Sequence, residues 1–131
     1  MAESCIFCKI ASGAIPCAKV WESERLLAFL DISPVNPGHT LLIPKGHVES
    51  VFSLGSADYA EIFEAARRLS GPLLKATGSK RIGVIIEGFL IPHAHVHLVP
   101  INRGGELSFE RAKKADMAGL VEMARRIREQ L

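Results

Sequence analysis

Little in this sequence is aromatic, and little of its charge is unbalanced. Phe, Trp and Tyr make up 6% of the 131 residues, and 16 Lys and Arg against 14 Asp and Glu leave a net charge of +2. Proteins whose main work is gripping nucleic acid carry a larger basic excess or rows of aromatic stacking platforms, so that class is excluded. No apolar run approaches the ~18 residues a membrane span requires; the longest, such as Ile82 to Ile86, are strand-sized. The N-terminus, Met1-Ala2-Glu3-Ser4-Cys5, lacks the basic and apolar regions of a secretory leader. Cysteine is scarce and odd in number, three in all, which argues against a disulfide framework and for reduced thiols or a metal site. Repeats, linkers and charged tails are missing as well. These absences predict a cytoplasmic protein with neither a membrane nor nucleic acid among its partners.

What is present is apolar material for one core. Apolar residues make up 48% of the chain and the mean hydropathy is +0.21, which excludes disorder. The length suits one domain spanning 1–131, because two would each fall near the size that needs metals or disulfides to fold.

Along the chain, Lys9-Ile10 followed by Gly13 and Pro16 predicts a short helical turn that breaks at the glycine. Val20 to Arg25, Leu26 to Leu30 and His39 to Ile43 read as strands, the last closed by Pro44. Ser56 to about Leu69 reads as a helix capped by Ser56, with Asp58 and Glu61 near its positive end and Arg67 and Arg68 near its negative end. Pro72 is expected to kink or end it. Arg81 to Glu87 and Ala94 to Ile101 predict two further strands. A final helix over about 116–130 carries Leu120, Ala124, Ile127 and Leu131 as a buried stripe. The order predicts an α+β fold, with a mainly antiparallel sheet of about five strands, one long helix inserted and one appended.

The histidines are clustered. In Pro92-His93-Ala94-His95-Val96-His97-Leu98-Val99-Pro100, extended backbone sends His93, His95 and His97 to one face and Ala94, Val96 and Leu98 to the other. The apolar set suits a core, whereas three imidazoles in a row are costly to bury without partners. Solvated or simply hydrogen-bonded histidines, a three-histidine catalytic metal site and nucleophilic catalysis by imidazole are the competing readings. The metal reading usually draws its third ligand from another element. With an ordinary pKa of ~6.5, roughly three-quarters of an imidazole is neutral at pH 7, so its free nitrogen can attack phosphorus without a separate base. The middle ring, His95, flanked on both sides, is the natural nucleophile. Separately, Cys5 and Cys8 have the spacing that lets two thiolates reach one zinc. A redox pair wants that motif at a helix start after a strand, which a motif at residue 5 lacks. Cys17 has no second ligand nearby in sequence and reads as packing.

The run His93-Ala-His-Val-His97-Leu-Val matches His-φ-His-φ-His-φ-φ, with φ apolar, and so resembles the histidine triad (HIT) family. Cys5-Ile-Phe-Cys-Lys-Ile10, Phe29-Leu-Asp-Ile-Ser-Pro34 and Pro37-Gly-His-Thr-Leu-Leu-Ile-Pro-Lys-Gly-His47 agree with that family in order and spacing, so the resemblance covers about residues 5–100. It implies the HIT fold, a homodimer with joined sheets, and a hydrolase for a nucleoside phosphoramidate or dinucleoside polyphosphate working through a histidine–nucleotide intermediate. The rival is a non-catalytic nucleotide-binding or scaffold protein that retains the pocket. By position His95 would be the nucleophile, His97 would contact phosphate and His39 would support the neighbourhood of the nucleophilic ring. Phe7, Ile10, Phe29 and Ile32 would surround a purine, and Asp31 would accept from ribose hydroxyls. Cys5, Cys8, His47 and His93 would hold a structural zinc, with no organic cofactor. One stretch departs from the family pattern: Val84-Ile-Ile-Glu-Gly-Phe-Leu-Ile-Pro-His93 is shorter and lacks the usual Asn and Gln. Glu87 or Ile86 takes the Asn region, and Glu87 would oppose phosphate unless it points away or pairs with a cation such as Arg103. That departure predicts an altered substrate preference. The basic stretch Arg111-Ala-Lys-Lys114 reads as a solvated face, with a place near the active-site mouth as the alternative.

Overall fold

The computed structural model describes residues 4–131; the N-terminal leader reading rests partly on residues 1–3, which lie outside them. The first element, helix α1 (Ile6–Ser12), ends at Gly13, whose φ of 87° is left-handed, the conformation glycine adopts without strain. Five strands follow in the order β1 (Lys19–Glu22), β2 (Leu26–Leu30), β3 (Thr40–Pro44), β4 (Arg81–Ile85) and β5 (Val96–Ile101). Helix α2 (Ser56–Thr77) is inserted between β3 and β4, and helix α3 (Met117–Arg128) comes last. In space the strands run β1-β2-β3-β5-β4, and every neighbouring pair is antiparallel.

All five residues of β2 and all five of β3 are buried, because both faces of the central sheet are covered. On one face Val20, Leu26, Ala28, Leu30, Leu42, Val96 and Leu98 meet Ile62, Leu69 and Leu73 of α2 and Leu120, Ala124 and Ile127 of α3. On the other face Leu27, Phe29, Leu41 and Ile43 pack against Cys5 and Phe7. The second face is thinly covered by one short helix, and that is where the histidines lie.

Several boundaries differ from the sequence reading. Helix α2 does not stop at Pro72 but runs on to Thr77, closed by left-handed Gly78. Leu69, Leu73 and Ala76 are all buried at helical spacing on both sides of the proline, and their packing offsets the roughly 3 kcal/mol a proline costs inside a helix. The cap of α2 is Gly55 rather than Ser56, with no side-chain cap bond. Strand β1 ends at Glu22 because Ser23 turns the chain: its N–H donates to the Leu26 carbonyl, and its hydroxyl accepts from Leu26 N–H. Pro44 is the last residue of β3, not a stop before it. At the other side of the sheet β4 ends at Ile85, opposite His97, so the ladder of β5 begins only at Val96 and residues 86–95 form a loop. Helix α3 agrees well with its sequence reading: Asp116 caps it by accepting from Gly119 N–H at 2.8 Å.

No helix among the described residues is long and apolar enough to cross a membrane. The basic stretch is more than a solvated face. Arg111 and Lys113 line a cleft of about 620 Å³ with the 34–38 loop, and Arg111 Nη2 donates to Asn36 Oδ1 at 2.6 Å.

Candidate active site

Alternation survives beyond the ladder. Ala94, Val96 and Leu98 enter the helix-covered core, while the rings of His95 and His97 meet on the opposite face with centroids 4.9 Å apart. His93, His95 and His97 are all buried, as is His39 on the approach to β3. Four buried imidazoles need defined partners, and the main chain supplies most of them.

Each partner determines where a ring carries its proton. A carbonyl oxygen only accepts. The His93 carbonyl lies 2.7 Å from His95 Nδ1, so that nitrogen holds the hydrogen and the neutral ring keeps its lone pair on Nε2. Val35 N–H donates to His39 Nδ1 at 3.0 Å. The proton of His39 therefore sits on Nε2, which donates to His97 Nδ1 at 3.0 Å. His97 in turn carries its own proton on Nε2. Burial pushes both His39 and His97 down to about 4, so at neutral pH both are uncharged and this relay of tautomers holds. Asp31 Oδ2 is 3.6 Å from His39 Nε2, a weak polar contact and not an ion pair, because the imidazole is neutral. Burial raises the Asp31 carboxyl, against the opposing bond from Ser33 N–H.

The residues paired by the resemblance with a nucleoside divide into two groups. Phe7 and Phe29 are buried, edge to face at 5.6 Å, and Phe7 also meets the His95 ring at 5.2 Å. Ile32 is 54% exposed, and Ile10 and Asp31 are half-buried. The structure brings Phe7, Phe29 and His95 into one cluster, with Asp31 joined to it through His39 and His97. His39 bonds to His97 rather than to the ring of His95.

A second cluster lies beside the first. One ligand atom from each of Cys5, Cys8, His47 and His93 falls within 4.8 Å of every other. His93 Nε2 donates to the Pro44 carbonyl at 2.8 Å, leaving the lone pair of Nδ1 toward Cys5 Sγ at 3.3 Å and Cys8 Sγ at 3.5 Å. His47 Nδ1 lies 3.2 Å from Cys8 Sγ. Tetrahedral zinc with ordinary bond lengths sets sulfur and nitrogen ligands about 3.5 Å apart, so this donor set fits the ion. Asp31, His39 and His97 also approach one another within 4.8 Å, but the Nε2 lone pair of His39 is already used by its proton. That trio does not fit a metal without breaking the bond from Val35.

Three contributors escaped the sequence reading. Phe109, on a single turn before α3, packs edge-on against His97 at 4.9 Å; no motif surrounds it. The main-chain groups of Val35, Pro44 and His93 act regardless of side-chain identity. Glu49 joins Glu87, Ser50, Ile86, Pro92 and His95 around a cavity of about 190 Å³. Arg103 does not pair with Glu87; it lies 3.4 Å from Glu106, a buried carboxylate that also accepts from Asn102 N–H at 2.6 Å.

Known proteins resemble this chain in sequence and in fold. The model of the HIT domain matches residues 12–104. "Protein hit" of Bacillus subtilis is 40% identical over 110 residues, covering 76% of this chain and 72% of its own. The adenosine 5'-monophosphoramidase hnt1 of Schizosaccharomyces pombe is 38% identical over 102 residues, 74% of each chain. Among solved structures, a HIT-like protein of Bartonella henselae superposes with a TM-score of 0.86 at 28% identity, over 98% of both chains. A zinc-bound histidine triad family protein of Mycobacterium smegmatis gives 0.85 at 29% identity, over 99% of this chain and 94% of that one. With its motifs in order on an antiparallel sheet and a matching span of 93 residues from 12 to 104, the chain belongs to the histidine triad family.

Proposed function

We propose that this chain is a nucleotide hydrolase that transfers a nucleoside monophosphate onto His95 Nε2 and then to water. The observation that carries the reading is the 2.7 Å bond from His95 Nδ1–H to the His93 carbonyl, which leaves the attacking nitrogen unprotonated and fixed in direction. Attack forms the Nε2–P bond as the bond from phosphorus to the leaving group breaks, with its electron pair going to the departing atom. A leaving nitrogen takes its proton from water at the open mouth of the site. Water then attacks phosphorus and gives up a proton to solvent, the P–Nε2 bond breaks with its electron pair returning to nitrogen, and His95 regains its lone pair. His97, carrying Nε2–H, donates to a phosphoryl oxygen, and His39 holds that tautomer in place. Phe7, Ile10, Phe29 and Ile32 form the apolar bed for a purine, and Asp31 accepts from the ribose. Substrates of this kind are a nucleoside phosphoramidate or a dinucleoside polyphosphate. The name of the fission yeast relative, a monophosphoramidase, supports that class.

Cys5, Cys8, His47 and His93 would hold zinc as a closed set of four protein ligands, a structural arrangement with no position open to substrate. When bound, the ion supplies a cross-link between α1 and the segment that carries His95. The outer edge of β4 ends the sheet and carries an exposed Val84, which supports a homodimer joined there.

The test is incubation of the purified protein with adenosine 5'-phosphoramidate and diadenosine polyphosphates, wild type against His95→Ala. Turnover in the wild type, loss of at least about 10³-fold in the variant and an intact-mass increase of one nucleoside monophosphate are expected. No turnover on any substrate with tight nucleotide binding retained refutes the enzyme and favours a non-catalytic binding protein.

A further inference from the structure

The cavity of about 190 Å³ beside His95 is lined by Glu49, Ser50, Val51, Ile86, Glu87, Gly88, Pro92, Ala94 and His95. None of the five residues assigned to the nucleoside lines it, so it is separate from the nucleoside bed. His95 itself is 7% exposed, and among the described residues its Nε2 makes no hydrogen bond, while Nδ1 is held by a carbonyl. His95, a buried ring with one nitrogen that no described residue bonds, is thus among the residues that border this space. The charges around it have one sign: Glu49 and Glu87 are both exposed at its rim, no Lys or Arg lines it, and neither carboxylate has an ion-pair partner among the described residues.

We infer that this cavity receives the leaving group, and that Glu49 and Glu87 select leaving groups that depart as ammonium ions over those that depart as phosphate or sulfate. The inference rests on the proposed attack of His95 on a nucleoside phosphate. When the P–N bond of a phosphoramidate breaks, its electron pair goes to nitrogen, which takes protons from water and becomes a cation. When a P–O bond to phosphate or sulfate breaks, the departing oxygen carries additional negative charge. Two unpaired carboxylates stabilise the first outcome and oppose the second. At an assumed separation of about 6 Å in water, one carboxylate changes such a rate about threefold, and two of them roughly tenfold. The effect acts in opposite directions on the two substrate classes, so the ratio between them carries most of the signal. The same arithmetic answers the departure of Glu87 from the family pattern. A carboxylate that hinders a phosphate leaving group favours an amine.

The experiment compares kcat/KM for adenosine 5'-phosphoramidate, adenosine 5'-phosphosulfate and diadenosine triphosphate in wild type, Glu87→Gln, Glu49→Gln and the double variant. Both side chains are exposed, and the unfolding midpoint of each variant checks that it folds. Expected is a wild-type preference for the phosphoramidate that falls at least tenfold in the double variant, partly through faster turnover of the two anionic-leaving substrates. Turnover of the phosphoramidate with a ratio unchanged by both substitutions overturns the leaving-group assignment and leaves the proposed hydrolase standing. Failure of all three substrates, with no nucleotide adduct on His95, overturns the hydrolase reading and this inference with it.

Discussion

His39 offers the sharpest test of how the site is held, because it is fully buried, uncharged and bonded at both nitrogens. Replacing it with alanine leaves the Val35 N–H and His97 Nδ1 without partners in a buried setting. Each orphaned group costs about 1–3 kcal/mol, so the two together predict a loss near 4 kcal/mol at pH 8. The loss should shrink in acid. Burial depresses His39 from 6.5 to about 4, so between those values the unfolded chain binds a proton that the folded chain refuses. Stability from this group is complete above the unfolded value and falls as pH drops toward 4. At pH 5 the wild type has lost about 2 kcal/mol of it, while the alanine variant has nothing to lose. The difference between the two proteins should thus fall from about 4 kcal/mol at pH 8 to about 2 kcal/mol at pH 5. His97 is depressed first by burial and only then by His39, so most of its acid sensitivity is common to both proteins. Urea denaturation at pH 5, 6.5 and 8 measures the difference directly. A penalty independent of pH would refute the claim that His39 is buried neutral with its proton on Nε2.

Three further outcomes follow from other parts of the structure. Chelation, or Cys8→Ser, should lower Tm by roughly 6 °C, equivalent to about 2 kcal/mol of lost ligand binding. It should also reduce kcat, because the backbone of His93 positions His95; metal analysis and a thermal scan with and without chelator check both effects. Gly38→Ala should cost about 2–4 kcal/mol, since φ is +88° and the new Cβ would lie 2.7 Å from Thr77 Cγ2 and 3.1 Å from Pro100 Cγ. Gly13→Ala, with φ +87° and open space around it, should cost only the backbone share, about 1–2 kcal/mol, and equal losses in denaturant titrations would remove the steric argument. Phe109→Ala takes an aromatic cover off His97 and should move the titration of that ring upward from about 4; a nitrogen-detected NMR titration that shows no movement would mean the phenyl ring contributes nothing to its burial.

Much of the fold was legible because its signals are local. Apolar runs gave β2 and β3 nearly to the residue, and Asp116 marked the start of α3. The readings failed where a distant contact decides. Pro72 looked like a stop from its own chemistry, and only the burial of Leu69, Leu73 and Ala76 against the sheet carries the helix past it. Strands β4 and β5 looked longer because apolar residues continue after Ile85, but pairing ends where His97 meets Ile85. The site divides in the same way. The triad histidines and the Cys5–Cys8 pair announce themselves by type and spacing and could be named in advance, whereas His47 and His93 joined that pair only through the family resemblance. Glu49 could not, because nothing in the local Val48-Glu49-Ser50 places it across a cavity from Glu87. Nor could Phe109, which reaches His97 from a turn beyond the motif-bearing part of the chain.

The deeper illegibility concerns protons. Alternation says that three imidazoles share a face, but an imidazole has two nitrogens, and its chemistry depends on which is free. Here main-chain partners make that choice for three of the four central rings: the carbonyls of His93 and Pro44 and the amide of Val35. These groups cannot titrate near neutrality or be altered by ordinary side-chain substitution, so the tautomers are as durable as the backbone path. His93 serves twice. Its ring presents Nδ1 to the two thiols, while its carbonyl orients the ring two residues along the chain. A spacing of one residue or three would send His95 to the opposite face of extended backbone and away from that carbonyl. The requirement for strict alternation is then a requirement for backbone geometry: one residue turns its side chain to the two thiols and orients the ring of His95 with its main chain.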